Sequence, residues 1–299
     1  MSTSSSSTSS PRTEFLIITV CVAVAVFAAV IHTIHPSGTT LVFDSGHYMG
    51  TVQLLCQAIQ ANAAGLPFAD SQKLNAFLLL DGPLMPLVGA LVFTILGKAP
   101  QAIDWRTFVY IEIFFQALAT ASLTSLACNL GNSKQAKYLA LATGLAWALY
   151  PPAILSTDSF LGELPATALL LLTMCLMVQT IKLKASANSS TAVNILALVS
   201  GLLLTLVFMS KPALVLSLLF LVMLWPTALF AQVFLPPGSE PAGQKSKIIT
   251  ALSFCLGAAL ALTPWLLFTH STTGKWRASA YRVPIYNITR GMSCDSDGW

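Results

Sequence analysis

Charge is what this chain has least of: only 9% of its 299 residues are Asp, Glu, Lys or Arg, against about a quarter in an ordinary soluble domain. A single water-soluble core cannot hide the apolar surface that such a composition leaves over. The cysteines are few and scattered. Cys21, Cys128, Cys175 and Cys255 fall in or at the ends of apolar runs, Cys56 and Cys294 stand alone, and no pair has metal-ligand spacing. A disulfide framework and a zinc site are both unsupported. No glycine-rich phosphate loop, nucleophile elbow or HExxH helix is present. The net charge of +4 is small, and no basic stretch interleaved with aromatics points to nucleic acid. The placement of Lys and Arg between apolar runs is therefore more informative than their total.

What is present is hydrocarbon: 55% of the residues are hydrophobic. Runs long enough to cross a bilayer, about 20 residues each, recur along the chain. They lie at 15–34, 107–128, 138–153, 165–181, 194–209, 213–231 and 248–268. The expected fold is all-α, a polytopic transmembrane helical bundle with about seven spanning helices. The Ser/Thr-rich start, 1–13, lacks the apolar content to fold and reads as a disordered leader. The run that follows is too long for a signal peptide, and His32 to Pro36 is no small-residue cleavage site, so an uncleaved first helix is expected.

An eighth apolar run, 84–96, is short for a crossing, and charge decides its role. If it spans, Lys134, Lys137, Lys182 and Lys184 fall opposite the N-terminus, against the positive-inside rule. If it is interfacial or re-entrant, those lysines, the N-terminus, Lys245 and Lys247 share the cytoplasmic side. The second topology places 35–106, 156–163, 210–212 and 270–299 together outside. Asp44, His47, Asp70, Asp81, Asp104, Arg106, Asp158, Glu163, Lys211, Lys275, Arg277, Arg282 and Arg290 then face one compartment. The last stretch carries an excess of basic residues on the outer side, which asks for an anionic partner such as phosphate.

Each of these residues has a structural and a chemical reading. Asp44, in Phe43-Asp44-Ser45-Gly46-His47-Tyr48, either caps a following helix or acts as a general base on an acceptor at the membrane surface. His47 is a solvated loop histidine or a proton carrier. Asp158 and Glu163 precede a spanning helix, where an acid suits the helix dipole but also can orient sugar hydroxyls. Lys211 stands between two apolar runs, where it snorkels to the headgroups or pairs with a lipid phosphate. Lys275, Arg277, Arg282 and Arg290 bind headgroups or grip a phosphate leaving group. Glu112, inside an apolar run, reads as one half of a pair with Arg106. The sequon Asn287-Ile288-Thr289 is a weak signal.

Taken in order, Asp44 with Tyr48, Asp81-Gly82-Pro83-Leu84-Met85-Pro86 closed by Gly97, Tyr150-Pro151-Pro152 with Glu163, Lys211-Pro212, and Pro264-Trp265 followed by Gly274 resemble the C-type multi-spanning glycosyltransferases. That superfamily includes the protein O-mannosyltransferases and the lipid A aminoarabinose transferases, and the resemblance covers nearly the whole chain from Phe15. It implies a polyprenyl-phosphate-sugar donor, membrane lipids as surroundings, a glycan, lipid or protein acceptor, and an inverting site on the outer face of the membrane. It makes Asp44 the catalytic base, Glu163 and Asp158 positioning groups, and His47, Tyr48, Lys211, Lys275, Arg277, Arg282 and Arg290 substrate-binding residues. Ser45 stands where many relatives carry a second acid, so a divalent metal has no support, and no cofactor is called for. Lys211 stands where many have Arg, which keeps the charge and loses the bidentate grip. The resemblance reads 14–269 as the transmembrane module and 270–299 as an outer loop or the truncated start of a C-terminal region. Two rival classes remain, a secondary transporter or channel and a non-catalytic membrane scaffold. A transporter places its polar groups near the bilayer midplane, and a scaffold leaves them dispersed.

Overall fold

In a computed structural model, the described residues are 11–34, 43–98, 105–129, 134–159, 162–185, 190–210 and 244–276. Among them the chain is helical throughout: α1 (Pro11–Ile34), α2 (Phe43–Ala63), α3 (Ser71–Asp81), α4 (Leu84–Ile95), α5 (Trp105–Asn129), α6 (Lys134–Ala148), α7 (Pro151–Leu155) with a 3₁₀ turn (Ser156–Asp158), α8 (Glu163–Ala185), α9 (Ser190–Ser210) and α10 (Gln244–Thr273). Five helices, α1, α5, α8, α9 and α10, are long and apolar enough to cross a membrane. The described residues thus belong to a helical integral membrane protein, with no strand among them.

A sixth crossing exists if α6 and the α7 segment count as one span bent by 47°. The bend has a local cause. Pro151 and Pro152 supply no backbone N–H to the preceding turn, and Pro151 drives Tyr150 out of the helical region to φ −68°, ψ 113°. The apolar run 138–153 expected as one helix is therefore broken near its end. The expected span at 213–231 lies outside the described residues, as do residues 1–10 of the expected leader. Residues 11–13 of that leader form the first turn of α1.

The helices pack in a row, α10 on α9, α9 on α8 and α8 on α5, with α1 and α6 closing against α5. In lipid such contacts rest on close van der Waals packing, so small residues belong at the interfaces. Ala29, Ala140, Ala148 and Ala197 are fully buried. Gly144 lies where a Cβ would strike Thr124 and the Cys21 sulfur, which brings α6, α5 and α1 to one point. Gly201 and Gly257 press α9 and α10 together, each against a backbone carbonyl of the other helix, Phe254 and Leu198.

These contacts give each helix its direction. On α1 and α5, Ala29 meets Val109 and Ile113, and Cys21 lies near Thr124 at the Gly144 crossing, so the two helices are antiparallel. Lys182 Nζ donates to Asn129 O at 2.6 Å where α8 ends and α5 ends. Ser210 Oγ donates to Gly162 O at 2.9 Å where α9 ends and α8 begins. Thr250 Oγ1 donates to Asn194 Oδ1 at 3.1 Å, and Thr205 Oγ1 to Ala258 O at 3.3 Å, so α9 and α10 run parallel. One end of the bundle therefore gathers Glu14, Lys134, Lys137, Lys182 and Lys247, and is called the lysine end below. The far end carries His32, Arg106, Asp158, Glu163, Ser210 and Thr273.

Helices α2, α3 and α4 cover the far end. Val52 of α2 abuts Gly89 of α4. Phe93 of α4 packs on Phe108 in the first turn of α5, ring centres 5.3 Å apart, and Lys98 Nζ donates to Thr107 Oγ1 at 3.1 Å. Leu54, Leu74 and Leu78 of α2 and α3 cluster with Phe268 near the end of α10. Helix α4 has 12 residues, a rise of about 18 Å, well under the thickness of a bilayer core. Gly82, at φ 83°, makes the tight turn into it.

Candidate functional site

The corner that leads from α6 into α8 is built by side chains that bond their own backbone. Ser156 Oγ donates to Pro152 O, Thr157 Oγ1 to Ile154 O and Ser159 Oγ to Ser156 O, at 2.7, 2.7 and 3.1 Å. Such local bonds favour turns over helix and hold the 3₁₀ segment closed. Asp158, at its end, turns toward α1, where its Oδ2 lies 2.6 Å from His32 Nε2. The two side chains are only about a fifth exposed, at 21% and 18%. Asp158 Oδ1 is buried with no hydrogen-bond partner among the described residues. One carboxylate oxygen thus faces an imidazole while the other is buried without a donor among the described residues.

Glu163 opens α8 and is exposed. Its backbone is anchored from both directions. Thr167 Oγ1 donates to Glu163 O at 2.8 Å, and the preceding Gly162 sits against the Ser210 carbonyl with no room for a Cβ. Ser210 immediately precedes Lys211, which lies outside the described residues. Asp158 and Glu163 therefore share one corner, which packs on α5, α1 and α8 and is tied to the end of α9 by the Ser210 bond.

The other expected site residues are placed separately. Asp44 lies in the first turn of α2, and its side chain is outside the described residues. His47 stacks at a tilt on Phe77 of α3, ring centres 4.3 Å apart. Tyr48 is buried in the main apolar cluster with Val52, Phe93 and Phe108. Lys275 is exposed beyond α10, where Gly274, at φ 68°, ends the helix by donating to His270 O at 2.8 Å. Arg277, Arg282 and Arg290 lie outside the described residues. Among the described residues no three His, Cys, Asp or Glu side chains come together in a metal-binding group.

Two features escape a reading of the sequence. His32 looks like a helix-end residue, and only the rule that an ionisable group in a spanning helix has a partner hints at its role. The second is a polar line along α5. Glu112, Gln116, Thr120 and Thr124 recur every four residues and are all fully buried. Thr120 and Thr124 bond the helix backbone, whereas neither polar atom of the Gln116 amide has a partner among the described residues. Arg106, expected to pair with Glu112, is exposed instead and faces Thr33, Ile34, Val109 and Tyr110. No family model, curated protein or solved structure matches this chain.

Proposed function

We propose that the protein is a membrane glycosyltransferase that moves a sugar from a polyprenyl-phosphate donor to an envelope, lipid or protein acceptor on the outer face of the membrane. The observation that carries the reading is the corner that holds the His32–Asp158 pair beside Glu163 and the end of α9 before Lys211, at the same end of the bundle as α2 and Lys275. A lipid-linked donor brings its phosphate and sugar to just that level, and an acceptor comes from the water above it. In this scheme Asp44 deprotonates the acceptor, Asp158 and Glu163 hold sugar or acceptor hydroxyls, and His47 contacts the substrate while the buried Tyr48 fixes the start of α2 from below. Lys211, Lys275, Arg277, Arg282 and Arg290 bind the phosphate as its charge develops. An outward orientation of the far end is supported by Lys134, Lys137, Lys182 and Lys247 in or beside short connections at the opposite end, where the positive-inside rule counts them. Lys73, Lys98 and Arg106 of the far end belong to a segment longer than the roughly 60 residues over which the rule holds, whereas Lys275 runs against it. A seventh crossing at 213–231 is supported by the parallel α9 and α10, because the chain leaves one at the far end and enters the other at the lysine end.

A second reading, secondary transport, is favoured by the buried polar line of α5. Gln116 lies about 15 Å along the helix from Arg106, close to the middle of a bilayer core, and buried polar groups at that depth mark solute paths. Proteoliposomes given a radiolabelled polyprenyl-phosphate sugar and an envelope extract separate the two. Transfer that falls with Glu163→Ala and persists in Glu112→Gln supports the transferase. Uptake of free sugar that is lost in Glu112→Gln, without any transfer, supports transport.

A further inference from the structure

We propose that the groove between the end of α1 and the start of α5 binds the phosphate headgroup of an anionic phospholipid from the surrounding bilayer. The groove encloses about 290 Å³ and is lined by Thr33, Ile34, Arg106, Val109 and Tyr110. Ile34 is the last residue of one candidate span and Arg106 the first of another, so the groove sits where hydrocarbon gives way to headgroups. Among the described lining residues Arg106 is the only charged one. Neighbouring His32 is turned away to Asp158. The Thr33 hydroxyl spends its hydrogen on Val30 O at 2.9 Å, which leaves, among the described lining residues, the Arg106 guanidinium and the Tyr110 phenol as side-chain donors. Arg106 and Tyr110 are four residues apart and rise from one face of α5. A planar guanidinium suits a phosphate diester, and a tyrosine at this depth suits the interfacial belt.

What selects a lipid over free phosphate is the surface beside the groove. Ile34, Ile31 and Phe27 of α1 and Tyr110 and Phe114 of α5 are all exposed, at spacings of three or four residues. They form two apolar tracks running from the groove into the hydrocarbon level, along which acyl chains can lie. The lipid's charge is met by Arg106, and its chains by these tracks.

Native mass spectrometry of the detergent-purified protein tests the assignment, with phosphatidylglycerol, diacylglycerol, inorganic phosphate and polyprenyl phosphate as probes. Retention of phosphatidylglycerol over diacylglycerol is expected. Arg106→Ala should lower that retention about fivefold or more, and Arg106→Lys should lie between, because the ammonium keeps charge without the bidentate fork. Ile34→Trp, which fills the groove and keeps the charge, should also lower it, and it serves as the variant of record if Arg106→Ala does not fold. Equal retention by wild type and the folded variants would overturn the site. So would displacement of phosphatidylglycerol by inorganic phosphate at equal concentration, or by a much smaller amount of polyprenyl phosphate, which would make the groove a donor site.

Discussion

His32 and Asp158 show how much a single buried contact decides at the far end. A carboxylate and an imidazole 2.6 Å apart and only about a fifth exposed hold the 3₁₀ turn to α1, and removing either leaves the other desolvated without its partner. Asp158→Asn and His32→Ala should each lower stability by about 1–3 kcal/mol. The double variant should cost less than the sum of the two, as a thermal-unfolding double-mutant cycle would show. Additive losses would mean that the two side chains act independently. This contact was illegible in the sequence because its halves belong to different helices, and periodicity reports only which residues share a helix face. Asp158 and Glu163 were legible as candidates because the chain has only 11 acids and these two stand together before a spanning helix, but nothing in the chain indicated which would be held and which exposed.

At the level of elements, the long helices could be read from the sequence because about 20 apolar residues in a row have few alternatives to crossing a bilayer. The α6–α7 break was less visible, since hydropathy continues through Pro151 and Pro152 while the backbone cannot. The close approach of α9 and α10 is written only in two glycines, whose importance depends on the facing carbonyls of Phe254 and Leu198. Gly201→Ala and Gly257→Ala should therefore separate these helices and cost about 1–3 kcal/mol each, measured by thermal unfolding in detergent. Gly50→Ala is the contrasting case. Gly50 lies inside α2 with open space where its Cβ would be, so the same change should be neutral or stabilising by about 0.5–1 kcal/mol. A destabilised Gly50→Ala beside an unaffected Gly201→Ala would contradict this packing.

For the molecule as a whole, polarity is the organising feature: Lys134, Lys137, Lys182 and Lys247 at one end, the His32–Asp158 pair, Glu163 and the α2–α4 cover at the other. If the lysine end is cytoplasmic, Lys134→Cys and Lys275→Cys in a cysteine-free background should react with a membrane-impermeant maleimide from opposite sides, Lys275→Cys from outside in intact cells. Labelling of both from one side would reject the topology. The proposed chemistry is tested most directly by sugar transfer from a radiolabelled polyprenyl-phosphate donor to an envelope extract, compared between wild type and Asp44→Asn in nanodiscs. Loss of a general base commonly costs about two to four orders of magnitude in rate. A fall of that size in the variant, with donor binding and melting temperature kept, is the predicted result. Equal transfer by both proteins would remove Asp44 from the mechanism, and no transfer or donor binding by either would contradict the glycosyltransferase reading.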